Sequence, residues 1–256
     1  MSSIDVATPA YSAATVRAAE RPLLDAGEPL MARAAAALDR VIRGMLASRS
    51  GAPDAPEVLH AADASTQGGA PRPVLVLVGP GNNGGDALFA AASLADSGLG
   101  VDLFLTSDRA HSEGLGAARR AGARLIGLDD VRAGASGYLV IVDGILGIGT
   151  SASPALRGVA RAVVEILLPV VRAGASTRPS VVAVDLPSGL HPDDGSADDV
   201  VLPADVTVTF GAVKAGLVRG RGPAVTGEIH LVDIGLGPAL ERARPVLETS
   251  IPVQRG

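Results

Sequence analysis

The chain contains no cysteine and no tryptophan, and its 256 residues include only two tyrosines and three phenylalanines. The absence of cysteine excludes disulfides, zinc–thiolate sites, iron–sulfur clusters and cysteine nucleophiles. Few aromatic residues argue against a surface that stacks on nucleic-acid bases. Because the net charge is −5 and no run of basic residues occurs, we expect no nucleic-acid partner.

Long apolar runs are also missing. No stretch approaches the roughly 18 apolar residues of a transmembrane helix, and no basic start followed by an apolar segment indicates a secretory signal. Hydrophobic residues nevertheless make up 47% of the chain, which suffices for a sizeable core. We therefore expect a single domain over residues 1–256, cytoplasmic and without membrane contact, since the lack of cysteine fits a reducing compartment.

Hydrophobic spacing divides the chain into three parts. Residues 1–47 are predicted as N-terminal helices, with apolar residues at three- and four-residue spacing over 11–47 and a break near Gly27 and Pro29. Residues 48–73 are rich in alanine, glycine, proline and serine, and are predicted to be a flexible insertion. Residues 74–240 form the predicted core.

Within this core, short β-branched runs alternate with amphipathic segments. Strands are predicted at 74–78, 101–105, 138–142, 181–185, 205–210 and 228–232, with a weak one at 124–126; helices are predicted at 84–97, 113–122 and 155–172. This alternation indicates an α/β fold, a three-layer Rossmann-like sandwich whose mostly parallel central sheet carries helices on both faces. Ligands of such sheets bind beyond the carboxyl ends of the strands.

A glycine-rich loop, GPGNNGGD (residues 79–86), follows the first core strand. Its glycines allow a ligand to approach the backbone closely, and free N–H groups at the start of the next helix suit a phosphate. Asp86, expected in the first turn of that helix, would repel a phosphate docked there. The loop therefore indicates a site for hydroxyls, an amide or a cation beside a phosphate. A plain turn with Asp86 as a capping residue is the alternative.

Three predicted strands each lead into an oxygen-bearing side chain, namely Asn83, Asp143 and Ser188. Because the carboxyl ends of parallel strands share one edge, we expect these side chains to lie close together. Carboxylate, amide and hydroxyl oxygens bind hard cations, and a single carboxylate favours potassium or sodium over magnesium. The absence of histidine and cysteine from the set argues against zinc.

Other candidate groups follow the later strands. Ser188 is expected near Asp185, and Lys214, the only lysine, is a candidate point-charge contact to a phosphate or else a solvated loop residue. A Ser–His–Asp triad is disfavoured because His191 lies only three residues from Ser188 and no Gly-x-Ser-x-Gly motif is present. A nucleotide-dependent oxidoreductase is disfavoured because Asp108, the candidate ribose ligand, lies past the end of its strand.

The chain resembles the NAD(P)H-hydrate epimerase family, the YjeF N-terminal type of domain. The resemblance is carried by GPGNNGGD (79–86), VDGILG (142–147), VDLPSGL (184–190), ADVTVTFGAVKAG (204–216) and GEIHLVDIG (227–235). It implies a Rossmann-like homodimer that interconverts the R and S epimers of hydrated NADH and NADPH, and an NAD(P)H-hydrate dehydratase as functional partner. Ala87, where the family usually has glycine, is a departure, as is the absence of a basic residue from the following helix.

The resemblance also implies roles for individual residues. Substrate binding is implied for Asn82, Asn83, Gly84, Gly85, Asp86, Gly147, Ile148, Gly149, Thr150, Ser151, Ala152, Ser153 and Asp185. One potassium ion per subunit is implied on Asn83, Asp143 and Ser188, the same three residues that the strand ends predict as cation ligands.

Epimerisation of the hydrate requires the C6–OH bond to break and to form again on the other face of the ring. A carboxylic acid could donate and recover the proton, and a carboxylate could stabilise the cationic intermediate. Asp185 is the predicted acid/base, with Asp86 as second choice. The alternative is a non-catalytic nucleotide-binding scaffold or interaction domain of the same fold. The retention of Asp86, Asp143 and Asp185 favours an enzyme.

Overall fold

A computed structural model describes residues 7–50, 73–149, 153–174 and 178–256. Its strands are β1 (Thr8–Tyr11), β2 (Val74–Val78), β3 (Val101–Leu105), β4 (Arg124–Leu125), β5 (Val140–Gly144), β6 (Ser180–Val184), β7 (Val206–Phe210), β8 (Val213–Lys214), β9 (Glu228–Val232), β10 (Leu247–Thr249) and β11 (Val253–Arg255). Its α-helices are α1 (Ala13–Asp25), α2 (Leu30–Ser50), α3 (Asn82–Asp96), α4 (Ser112–Arg120), α5 (Leu128–Gly134), α6 (Gly158–Val171), α7 (Gly222–Val225) and α8 (Gly237–Leu240).

The central sheet has eight strands in the order β11-β9-β7-β6-β5-β2-β3-β4, and every neighbouring pair is parallel. The strand order reverses between β2 and β5, since β3 lies on one side of β2 and β5 lies on the other. The crossover helix α3 covers one face of the sheet and α6 covers the opposite face, so a crevice opens beyond the carboxyl ends of β2 and β5. The predicted α/β class with helices on both faces is confirmed.

The core has one layer on each side of this sheet. Val74, Val76 and Val78 of β2 pack with α2 and α3, whereas Leu75 and Leu77 of the same strand pack with α5 and α6. Successive side chains of a strand point to opposite faces, so a strand buried on both sides needs an uninterrupted apolar run. The sequence VLVLV meets that requirement, and all five residues are buried.

A second, three-stranded sheet has the order β10-β1-β8. Strand β1 pairs in parallel with β8, where Tyr11 lies opposite Lys214, and antiparallel with β10. This pairing joins the start of the described chain to two segments more than 200 residues later. It also sets the position of α1, which begins two residues after β1.

Several element boundaries differ from the predictions. Residues 8–11 form β1 although this segment was expected to lead into helix, and α2 continues to Ser50, into the segment predicted as an insertion. The helix predicted at 155–172 begins only at Gly158, whose φ of +54° marks a bend in the chain rather than a helix interior. The remainder of the predicted insertion, residues 51–72, lies outside the described residues. The assignment of residues 1–256 to a single domain stays a prediction.

Among the residues described, none of the helices combines the length and the apolar character that a bilayer span requires.

Candidate functional site

The crevice at the reversal of strand order is a cleft of about 990 Å³. Its walls come from α1, the start of α2 and the segments that follow β2, β5, β6 and β9, together with Phe210 at the end of β7. The polar residues that line it include Glu20, Asn82, Asn83, Asp86 and Asp185. The cleft therefore collects side chains from both ends of the sequence at the place where open parallel sheets bind ligands.

The glycine-rich loop brings the chain of β2 against that of β5. A Cβ on Gly79 would lie 1.7 Å from the carbonyl oxygen of Ile145, and one on Gly84 would lie 2.0 Å from the carbonyl oxygen of Gly79, so neither position accommodates a side chain. Helix α3 begins at Asn82, two residues earlier than predicted. Asp86 consequently lies in the second turn and not in the first, which excludes the capping role considered for it.

The three predicted cation ligands lie in one buried network that is bridged by the backbone of Leu146. The Ser188 hydroxyl donates to Asp143 Oδ1 at 2.6 Å, and the Ser188 N–H donates to Asp143 Oδ2 at 2.8 Å. Leu146 N–H donates to the Ser188 hydroxyl at 2.9 Å, while the Leu146 carbonyl accepts from the Asn83 amide at 3.1 Å. Asn83 also donates to the Val184 carbonyl at 2.5 Å. The network joins the segments after β2, β5 and β6.

Asp143 is the charged member of this network and is only 1% exposed. Burial raises the pKa of Asp143, whereas the hydrogen bonds from Ser188 and Ile145 lower it. Within the described part of the chain, this carboxylate accepts only from uncharged groups, the backbone N–H groups of Ile145 and Ser188 and the Ser188 hydroxyl. Because a buried charge requires compensation, the surroundings of Asp143 suit a cation. No three His, Cys, Asp or Glu side chains among the described residues are arranged to hold a metal ion, so a cation would rely on neutral oxygens as well.

Asp185 occupies an unusual backbone conformation at the end of β6. Its φ is +69°, and no other non-glycine residue in the described ranges has a positive φ. Such strain persists where the surroundings fix it and is frequent at functional sites. Its Oδ1 accepts hydrogen bonds from Lys214 Nζ, from Thr209 Oγ1 at 3.2 Å and from Phe210 N–H at 3.4 Å.

Both predictions for Lys214 are wrong, because its side chain is neither a free phosphate contact nor solvated in a loop. It is 1% exposed, forms an ion pair with Asp185, and donates to the Phe210 carbonyl at 2.9 Å and to Thr209 Oγ1 at 3.2 Å. A buried ammonium needs such partners. The β8 pairing that holds Lys214 in place was not predicted.

Asp86 and Glu20 are the other carboxyl groups of the cleft. The pKa of Asp86 is raised well above its ordinary value, first by burial and then by the negative charges of Asp185 and Glu20, and Lys214 opposes this. Burial also raises the pKa of Glu20, with Lys214 lowering it and Asp185 raising it. Glu20, Asp86 and Asp185 line the same cleft and Lys214 contacts Asp185, so these four groups are placed to influence each other.

The segment after β5 forms a further wall of the cleft through Gly147, Ile148 and Gly149. A Cβ on Gly147 would lie 2.4 Å from Asn83 Oδ1, so glycine is required for the close contact with the amide. The exposed Arg17 of α1 donates to the carbonyl of Ile148 and links α1 to this wall.

The remaining substrate-binding predictions have mixed positions. Gly84 and Gly85 lie behind the cleft, where Gly85 packs beside Met31 and His111, and Ser153 is exposed and does not belong to the lining. Thr150, Ser151 and Ala152 lie outside the described residues. Their assignments as ligand contacts remain predictions.

Two expectations about Ser188 are decided by its contacts. Its hydroxyl bonds to Asp143 and Leu146, and the expected proximity to Asp185, three residues earlier, involves no hydrogen bond of this hydroxyl among the described contacts. The ring of His191 accepts from the N–H groups of Asp193 and Asp194, so the disfavoured triad is absent from the described contacts.

The cleft residues of α1 were not predicted from the residue pattern. Arg17, Glu20 and Arg21 all line the cleft, but they belong to an amphipathic helix with no local motif. The pairing of β1 with β8 is what carries this helix to the carboxyl edge of the sheet, and no sequence signal within α1 reports that pairing.

The fold and the cleft define a Rossmann-like α/β protein with a ligand site at the reversal of strand order. Residues 27–216 match the family described as YjeF-related protein N-terminus. The chain belongs to this family.

Relatives support the same assignment. The chain is 54% identical over 246 residues to the "NAD(P)H-hydrate epimerase" of Microbacterium testaceum, covering 96% of this chain and 86% of the relative. It is 40% identical over 230 residues to the "Bifunctional NAD(P)H-hydrate repair enzyme Nnr" of Mycobacterium leprae, covering 88% of this chain and 41% of that protein. The crystal structure of the yeast protein YNL200c superimposes with a TM-score of 0.62 at 21% identity, covering 81% of this chain and 82% of that one, and shares the fold.

Proposed function

We propose that this protein is an isomerase that interconverts the R and S epimers of hydrated NADH and NADPH. The observation that carries the proposal is the convergence of Asp86 and Asp185, which are 6% and 4% exposed, on one cleft beside the glycine-rich loop. The similarity to the Microbacterium protein over 96% of the chain supports the choice of substrate.

The chemistry requires both a proton carrier and negative charge. When the C6–OH bond of the hydrate breaks, the lone pair of the ring nitrogen forms a planar cation, and the hydroxyl leaves as water after it accepts a proton. Two carboxyl groups in a shielded cleft can fill both needs, because one can transfer the proton and the other can stabilise the cation. From the sequence, Asp185 is the first candidate for the proton carrier and Asp86 is the second.

One potassium ion per subunit is part of the proposal. Asn83, Asp143 and Ser188 would hold it, since they supply hard oxygens and the buried Asp143 carboxylate has only uncharged donors among the contacts described above. When bound, the ion would supply positive charge that holds the segments after β2, β5 and β6 together. Proton transfer would remain with the cleft carboxyl groups.

The setting of the reaction is also proposed. The bifunctional mycobacterial relative, of which this chain spans 41%, supports a second repair activity as functional partner, and the family resemblance identifies that activity as a dehydratase. The resemblance further supports a homodimer, and the absence of cysteine supports a cytoplasmic location. Native mass spectrometry tests the dimer directly.

The activity is tested by proton NMR of hydrated NADH and NADPH enriched in one epimer, with and without the protein. We expect the return to the equilibrium mixture to be accelerated without net oxidation of the cofactor. Glu248→Gln, an exposed change on β10, serves as the matched control and should behave as the parent. Binding without acceleration would instead identify a scaffold, and loss of the reduced nicotinamide absorbance would identify an oxidoreductase.

A further inference from the structure

The two carboxyl groups of the cleft differ in how they are held. Asp185 is fixed by three donors, among them the buried ammonium of Lys214. An ammonium in contact with a carboxylate stabilises the charged form of both groups. Thr209 Oγ1 accepts from Lys214 Nζ at 3.2 Å and lies 3.2 Å from Asp185 Oδ1, so the three groups form a closed cluster on one side of the cleft. Asp185 thus stands as a fixed negative charge.

Asp86 is held in the opposite manner. It is 6% exposed and lines the cleft, and within the described part of the chain its carboxyl group forms no hydrogen bond or ion pair. A carboxyl group that is more than nine-tenths buried and lacks a donor is costly to ionise. Such a group is free to bond to whatever enters the cleft.

The charged groups that face Asp86 come from three directions. Asp185 and Lys214 face it from the ends of β6 and β8, and Glu20 faces it from α1. Of the other elements packed on α3, α4 brings His111 beside Gly85 and β5 brings Asp143, which is engaged with Ser188. Asp185 and Glu20 raise the pKa of Asp86 and Lys214 lowers it. Arg17, Arg21 and Asp25 of α1 are the other charged residues that line the cleft.

We propose that, in the reaction proposed above, Asp86 carries the proton while Asp185, positioned by Lys214, remains a carboxylate that faces the ring cation. This assignment rests on the proposed function. It gives the proton transfer to Asp86 and the stabilisation of the ring cation to Asp185. The Asp86 carboxyl group donates its proton to the C6 hydroxyl as the C6–O bond breaks, which yields water and a ring cation whose C=N bond uses the nitrogen lone pair. Water then adds to the other face and returns its proton to Asp86, so no atom or electron is gained or lost.

The electrostatics of the cleft agree with this division. Burial, Asp185 and Glu20 together raise the pKa of Asp86 well above its ordinary range, which keeps a proton available to it at higher pH. Glu20, which is partly exposed and also lines the cleft, acts on Asp86 through its charge and is a positioning residue.

The pH dependence of kcat/KM separates this assignment from its alternatives. If the protonated Asp86 is required, activity falls on the alkaline side as Asp86 ionises. Glu20→Gln removes a charge that raises the pKa of Asp86, so the alkaline limb of the pH profile of kcat/KM should move to lower pH. Lys214→Met removes the charge that lowers it, so the limb should move to higher pH. Glu248→Gln should leave the limb in place. A merely structural role for Glu20 and Lys214 predicts lower rates with an unmoved limb, and that result would overturn the proposal.

Asp86→Asn provides the second measurement. We expect the rate to fall about 10²-fold or more, while NADH still binds by isothermal titration calorimetry, which also shows that the variant is folded. A variant that retains the parental rate while the parent itself epimerises would refute the assignment of Asp86 and leave the proposed function intact. If the parent shows no epimerisation, the proposed function fails first, and the two failures are thus distinguished.

Discussion

Ser188 binds Asp143 through two hydrogen bonds, one from its hydroxyl to Oδ1 at 2.6 Å and one from its backbone N–H to Oδ2 at 2.8 Å. The same hydroxyl accepts from Leu146 N–H at 2.9 Å. One serine thereby joins the ends of two adjacent parallel strands, β5 and β6. The arrangement orients a buried carboxylate whose described donors are all neutral, which is the basis for expecting a monovalent cation at this position.

Ser188→Ala tests the cation. The substitution leaves Leu146 N–H without its acceptor and leaves Asp143 Oδ1 with only the 3.3 Å bond from Ile145 N–H. We expect the free energy of unfolding to fall by about 1–3 kcal/mol. Thermal melts in potassium chloride and in choline chloride should show potassium-dependent stabilisation of the parent, worth about 2.7 kcal/mol at a hundred times the Kd. This stabilisation should vanish in Ser188→Ala and persist in Ser250→Ala, an exposed change. Equal melting in both salts for the parent would contradict the potassium site.

Gly147→Ala tests the contact between the segment after β5 and the glycine-rich loop. The new Cβ would lie 2.4 Å from Asn83 Oδ1 and would displace the amide that bonds to Leu146 and Val184. A displacement of this kind can cost about 10²-fold in rate, and we expect kcat/KM to fall accordingly.

The control for that variant is Gly44→Ala in α2, where a Cβ would meet nothing within 4 Å. Because alanine favours a helix interior over glycine, this change should raise the free energy of unfolding by about 0.5–1 kcal/mol and leave activity unchanged. If Gly147→Ala also leaves kcat/KM unchanged, the Asn83 amide is not needed in its observed position.

The parts of this site that the sequence predicts are those governed by the parallel sheet. Asn83 and Ser188 follow recognisable strands and Asp143 lies near the end of β5. The common carboxyl edge of these strands is sufficient to predict that the three residues lie together. The same reasoning places Asp86 and Asp185 at the cleft, because the positions depend on strand ends rather than on side-chain details.

The parts that the sequence does not predict depend on long-range pairing. Lys214 reaches Asp185 because β8 pairs with β1, and Glu20 reaches the cleft because α1 follows β1. Strands of two and four residues carry too little hydrophobic pattern to be recognised, and nothing local indicates a partner 200 residues away. The start of α3 is also not predicted correctly, because the N-cap residue is Gly81, which has no side chain that would mark it as a cap.

The ion pair between Lys214 and Asp185 predicts a strong coupling in stability. Asp185→Asn leaves the ammonium buried without its carboxylate, and loss of one partner of a buried pair costs about 3–5 kcal/mol. The double variant Asp185→Asn/Lys214→Met removes both charges and should recover most of that loss in urea unfolding, yet it should remain inactive.

The exposed pair Arg132–Asp129 in α5 provides the comparison for this cycle. Its coupling energy should be below about 1 kcal/mol because solvent screens the charges. If the double variant at the buried pair loses as much stability as the sum of its single variants, the two side chains do not depend on each other as described.

The buried carboxyl group of Asp86 should serve activity but reduce the stability of the protein as the pH rises. Because its pKa in the folded protein is raised above the ordinary value of 3.8, the folded state binds more protons than the unfolded state, so stability is lost as the pH rises from that value through the folded-state pKa. Each pH unit of difference corresponds to about 1.4 kcal/mol. Asp86→Asn carries no titrating carboxyl group, and it should therefore become more stable than the parent by a margin that grows with pH and then levels off. Melts of both proteins between pH 5 and pH 8 measure this margin, with the exposed Glu248→Gln as the control. A margin that does not change over this range would contradict a folded-state pKa of Asp86 raised into it.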